Sequence, residues 1–98
     1  MNKTRTPLFL MANLGSDMSQ LFSYVDKGEL KLLESAALRA RKIIDELLIH
    51  PDMEGRTGEI EILKDIIEDI FAEKRRFAVK KTEIEEYFMP FALRLMSV

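Results

Sequence analysis

From Leu30 to Leu47 the apolar residues Leu30, Leu33, Ala37, Ala40, Ile44 and Leu47 recur in an unbroken alternation of three- and four-residue steps. That spacing follows one face of an α-helix and fits no strand, whose buried face repeats every second residue. The pattern predicts a helix over about Glu29 to Ile49, which Pro51 then forbids from continuing. Leu32, Ala36 and Ile43 widen the stripe on one flank, so this helix is expected to touch two neighbours and to lie centrally among them. A single amphipathic helix of this kind draws most of its stability from packing. The rest of the chain must therefore supply partners.

The remaining segments carry the same period. The first is predicted to run from Thr6-Pro7, where Thr caps and Pro fits the opening turn, to Lys27 before Gly28. Its stripe is Met11, Leu14, Met18, Leu21, Phe22 and Val25, while Ala12, Ser16, Ser19 and Ser23, with Gly15 beside them, make an adjacent face of small residues. The third segment is predicted from Thr57, as cap, to about Phe77, with Glu59 and Glu61 in its first turn and Arg75 and Arg76 suited to its end. Ile60, Leu63, Ile67, Ile70 and Phe77 form its stripe, Ile66 and Phe71 broaden it, and Lys74 falls on the buried line, where it can snorkel past the helix end. The fourth opens on Thr82-Glu83-Ile84-Glu85, the pattern of a capping box, and continues through Ile84, Phe88, Phe91 and Leu95. Pro90 inside it predicts a kink or a break.

Four segments of one period, short links and no alternating apolar/polar run predict an all-α fold. The expected form is a small antiparallel four-helix bundle, up-down-up-down, as one domain over residues 1–98. A chain of 98 residues, 47% hydrophobic and 33% charged, is large enough for one core. Lys3 and Arg5 precede the apolar run Pro7 to Ala12, but Asn13 interrupts it and no small-residue cleavage site closes it. No stretch approaches the roughly 20 apolar residues of a membrane span. The expected compartment is the cytoplasm.

Composition removes several kinds of chemistry. With no cysteine there is neither disulfide nor thiolate. With 15 Lys+Arg against 17 Asp+Glu the net charge is −2, and no global field draws the chain to nucleic acid or an acidic membrane. Di-iron bundles need paired Glu-x-x-His motifs, whereas this chain has one histidine, in Glu46-x-x-x-His50, expected on the polar side. Glu61, Asp65, Glu68 and Asp69 are read as the solvated face of the third helix. A lone histidine on a four-helix bundle resembles histidine-phosphotransfer domains in architecture only, because those carry His in mid-helix before a Lys-Gly pair. Here His50 meets Pro51-Asp52-Met53 and is expected to favour the dipole at a helix C-terminus. Helical chorismate mutases bind dianions with inward Arg and Lys, but only Arg41 and Lys74 lie near a buried stripe here, without an acid or base partner. The chain is therefore read as no enzyme, with no cofactor and no metal.

Two surfaces are left as candidates. Met89, Leu93 and Met96 lie opposite Ile84, Phe88, Phe91 and Leu95, so the last helix is apolar on two faces and one bundle cannot easily bury both. These three, with Ala12, Ser16, Ser19 and Ser23 as a second docking face, predict a protein-protein interaction module. Its partner is a second copy, as a homo-oligomer and specifically a dimer, or a helix of another protein. The alternative is a nucleic-acid-binding accessory protein using Lys74, Arg75, Arg76, Lys80 and Lys81, clustered around Phe77.

Overall fold

The computed structural model describes residues 5–72 and 76–96. The chain forms α1 (Pro7–Lys27), α2 (Leu30–Ile49), a 3-10 turn (Pro51–Met53), α3 (Gly58–Ile70) and α4 (Lys81–Met96), with no strand among the described residues. No helix among the described residues is long and apolar enough to cross a membrane.

The first helix starts and stops where its sequence dictates. Thr6 Oγ1 accepts from the Phe9 N–H at 3.1 Å, and Pro7 occupies the first turn, where no N–H partner is needed. At the far end Gly28 takes φ +69°, a conformation that costs a side-chain-bearing residue but not glycine. The Glu29 and Gly28 N–H groups then bond back to the Tyr24 and Val25 carbonyls at 3.0 and 3.2 Å, satisfying the helix end and turning the chain into α2.

One core joins the helices. Leu10, Met11, Leu14, Met18, Leu21 and Phe22 from α1 meet Leu33, Ala36, Ala37, Ala40, Ile43, Ile44 and Leu47 from α2; Ile60, Leu63, Ile66 and Ile67 of α3 and Ile84 and Phe88 of α4 complete it. The alanines of α2 are fully buried, which lets its backbone come close to a neighbour. Helix α1 packs closely against both α2 and α4, and α2 packs against α1 and, more lightly, α3. The expectation that α2 touches two neighbours holds, since it meets both α1 and α3. On α1, Gly15 lets α4 approach: a Cβ there would lie 2.7 Å from Phe88 Cβ.

The third helix ends at Ile70, short of the expected Phe77, and Asp69 supplies the reason. Its carboxylate accepts the backbone N–H groups of Arg76 at 2.7 Å and Phe77 at 3.1 Å, folding the following chain back onto the helix end. Asp69 is 3% exposed, so its assignment to a solvated face is wrong. Arg76 lies beyond the helix rather than at its C-terminus, and Arg75 and Lys74 fall outside the described residues. Among the described residues Leu30, Leu32 and Leu38 of α2 are exposed, which corrects the expectation that Leu30 lies on the core stripe and Leu32 on its buried flank, and Phe71 is exposed beside them.

The caps of α3 and α4 also differ from the sequence expectation. Thr57 has near-helical backbone angles and makes no side-chain cap bond, since its hydroxyl cannot reach the first turn from that conformation. In α4 the reaching-back carboxylate is that of Glu83, which accepts the Lys80 N–H at 2.9 Å, so the capping position is Lys80 and not Thr82. Glu85, the expected partner, instead accepts from Ser19 of α1. Pro90 lies inside α4, which is helical without interruption on both sides of it.

Candidate interaction surface on the fourth helix

Packing against α1 divides α4 into an inner and an outer face. Ile84 and Phe88 are buried and Phe91 is half-buried against the core, with the rings of Tyr87, Phe88 and Phe91 in mutual contact at centroid distances of 4.9–6.3 Å. The opposite side holds Met89, Leu93 and Met96, exposed to 53%, 56% and 81%. Large apolar side chains left this bare over successive turns form a contiguous surface rather than scattered single residues.

The small-residue face of α1 lies beside it. Ser19 Oγ donates to Glu85 at 3.0 Å and Gly15 is closed by Phe88, so part of that face is already occupied by α4 of the same chain. What is left is a shallow, open groove of about 260 Å³ lined by Ala12, Ser16, Ser19, Met89 and Ala92 among others. Ser23 is half-buried near the other end of α1. The two surfaces that the sequence suggests separately are thus continuous, with Met89 on the rim of the groove.

The polar groups have structural partners. His50, expected on the polar side, is buried at the junction of α2 and the 3-10 turn: Nδ1 accepts the Asp52 N–H at 3.1 Å and Nε2 lies 2.7 Å from the Arg5 carbonyl. Through these two contacts His50 ties Arg5 to the end of α2. Arg41 makes a two-pronged bond to Glu68 at 3.0 and 2.9 Å and stacks over Phe71 at 5.2 Å, which gives both residues a role in joining α2 to α3. Arg5 pairs with Glu46, and Arg39 reaches Asp17 and Gln20, both at 3.2 Å. The exposure of these ion pairs makes each worth less than about 1 kcal/mol.

In the basic cluster Arg76 is exposed and lies over the Phe77 ring at 5.6 Å. Lys80 and Lys81 border a separate hollow with Phe22, Val25 and Asp26. Lys74 and Arg75 lie outside the described residues.

Sequence reasoning also missed the polar link between α4 and α3. The Tyr87 hydroxyl donates to Glu59 Oε2 at 3.1 Å. Burial, then the hydrogen bond to Glu59 and its negative charge, push the Tyr87 phenol up from 10.0 to about 12. The folded chain therefore holds this proton more tightly than the unfolded one. The stabilisation it confers is intact below pH 10 and is lost as pH rises toward about 12. In the Tyr24→Phe background, the tyrosinate absorbance of the folded chain is expected to appear only as pH nears about 12, and Glu59→Gln is expected to lower that midpoint. An ordinary midpoint in the folded parent would remove the Tyr87–Glu59 link from this account.

No protein family model, curated protein or solved structure matches this chain.

Proposed function

We propose that this chain is a non-enzymatic protein-protein interaction module that works through the outer face of α4. The observation that carries the reading is the exposure of Met89, Leu93 and Met96 beside the groove on α1. Association there would bury apolar surface now in water, and methionine adapts its shape to whatever it meets. A second copy of the chain is the favoured occupant. Two copies related by a twofold axis can each seat Met89 in the other's groove, which is lined by Ala12 and Ser16, and a net charge of −2 opposes their approach only weakly. A helix of another protein is the alternative occupant.

The module that presents this surface is an antiparallel up-down-up-down bundle. The order of the links supports that course: Arg5 near the start of α1 pairs with Glu46 near the end of α2, while Arg39 reaches Asp17 and Gln20 nearer the turn. Ser19 with Glu85 and Gly15 with Phe88 extend the same opposed order to α1 and α4. A bend at Pro90, where the bond to the Glu86 carbonyl is lost, would tilt the last turns and with them Leu93 and Met96.

Light scattering over a concentration series tests the reading. The parent chain is expected to pass from monomer to dimer as concentration rises. Met89→Glu and Leu93→Glu are expected to weaken the dimer at least tenfold, because each places a charge in a desolvated contact. Both sites are on the surface, so the helical circular dichroism should be unchanged. A parent that stays monomeric at every concentration would refute self-association.

A further inference from the structure

We propose that the groove between α3 and α4, on another side of the molecule from the Met89 surface, is a docking site for an amphipathic helix with cationic flanks. The close helix pairs are α1 with α2, α1 with α4, and α2 with α3. The consecutive helices α3 and α4 are not among them. They are bridged by side chains instead, with the Tyr87 phenol spanning to Glu59. Between them runs an open groove of about 260 Å³, walled on one side by Glu59, Ile62, Leu63 and Ile66 and on the other by Val79, Glu83, Ile84 and Tyr87.

Its shape and its charge point to the same occupant. The α3 wall, from Glu59 to Ile66, covers about two turns of helix, or roughly 10–12 Å at 1.5 Å per residue, which matches the contact length of a helix presenting apolar anchors at i, i+3 or i+4, and i+7; the facing wall is the chain before α4 at Val79 and the first turns of α4. Ile62 stands 55% exposed on the rim although it belongs to the helix whose neighbouring isoleucines are core. The charged groups among the lining residues are the carboxylates of Glu59 and Glu83, and no described lining residue is cationic. Both carboxylates are held in place, one by Tyr87 and one by the Lys80 N–H. Fixed negative charge at the edges of an apolar groove favours a partner carrying Lys or Arg beside its apolar stripe and disfavours an acidic one.

Fluorescence anisotropy of labelled probe peptides on the full chain tests this. One probe is an amphipathic helix with Leu anchors flanked by Lys and Arg, and its twin carries Glu at the flanking sites. The basic probe is expected to bind, more weakly as salt rises, and the acidic twin at least tenfold less tightly. Ile62→Glu is expected to weaken the basic probe about tenfold. The Glu59→Gln/Glu83→Gln variant keeps both hydrogen-bond acceptors and is expected to erase most of the preference between the twins. Met89→Glu is expected to leave binding unchanged, which separates this site from the dimer surface. Equal binding of the twins, full affinity in Ile62→Glu, or loss in Met89→Glu would overturn the proposal. So would loss of self-association in Ile62→Glu, since that would make a second copy the occupant.

Discussion

The Gly15→Val variant is expected to lose about 3 kcal/mol of stability, a large share of what a domain of this size possesses. Even the single carbon of Gly15→Ala would stand 2.7 Å from both Cβ and Cγ of Phe88, inside any real contact distance. Those atoms are the root of the aromatic side chain and not a flexible tip, so relief requires α4 to move away from α1. Gly15→Ala gains about 1 kcal/mol of helix propensity and loses about 1–3 kcal/mol through overpacking. The net effect is expected to be a loss, read as a lower urea midpoint. Gly15→Val carries more bulk and gains less propensity. A double-mutant cycle with Phe88→Ala checks the cause, because the cost of Gly15→Ala should shrink when the opposing ring is gone. An additive cycle, or a Gly15→Ala variant more stable than the parent by its full gain in helix propensity, would show that the two helices do not meet at this point.

Asp69→Ala is the second large effect, expected at about 2–4 kcal/mol. The carboxylate is buried and receives two backbone N–H groups, those of Arg76 and Phe77. Bonds to an ionised acceptor are worth more than neutral ones, and the deletion strands donors that the fold has turned inward. The exposure of Arg76 lets water recover some of this, which holds the estimate to the low end of two such losses. Asp69→Asn should fall between, since its amide offers one accepting oxygen in place of two. Hydrogen exchange at the Phe77 amide should report the same order. If Asp69→Ala unfolds at the parent's urea midpoint, some other feature ends α3.

The helical class and the core were legible because they depend on period. Met11, Leu14, Met18, Leu21 and Phe22 repeat at helical steps, and all are buried. The boundaries of α1 were legible because Thr6, Pro7 and Gly28 act within one turn of where they stand. The outer apolar face of α4 was legible for a related reason: an apolar surplus on two sides of one helix shows in the sequence alone.

What stayed hidden depended on partners distant along the chain. Asp69 and His50 look like surface residues in sequence, since polar side chains are mostly solvated. Each is buried because a remote backbone arrives to meet it: Arg76 and Phe77 for the first, Arg5 for the second. The cap of α4 was misplaced because Glu85 is claimed by Ser19, sixty-six residues away in the chain. The α3–α4 groove could not be anticipated, because periodicity gives each helix an apolar face without saying which faces meet.

Local rules therefore determined that this chain is helical, where α1 begins and ends, and which side chains seek a core. Only tertiary structure decided that α1 packs against both α2 and α4, that α3 stops at Ile70, and that α3 and α4 stand apart over an apolar groove. The physical reason is reach. Capping and spacing act over one or two turns, whereas the close approach at Gly15 and the backbone bonds to Asp69 exist only once separate parts of the chain have been brought together.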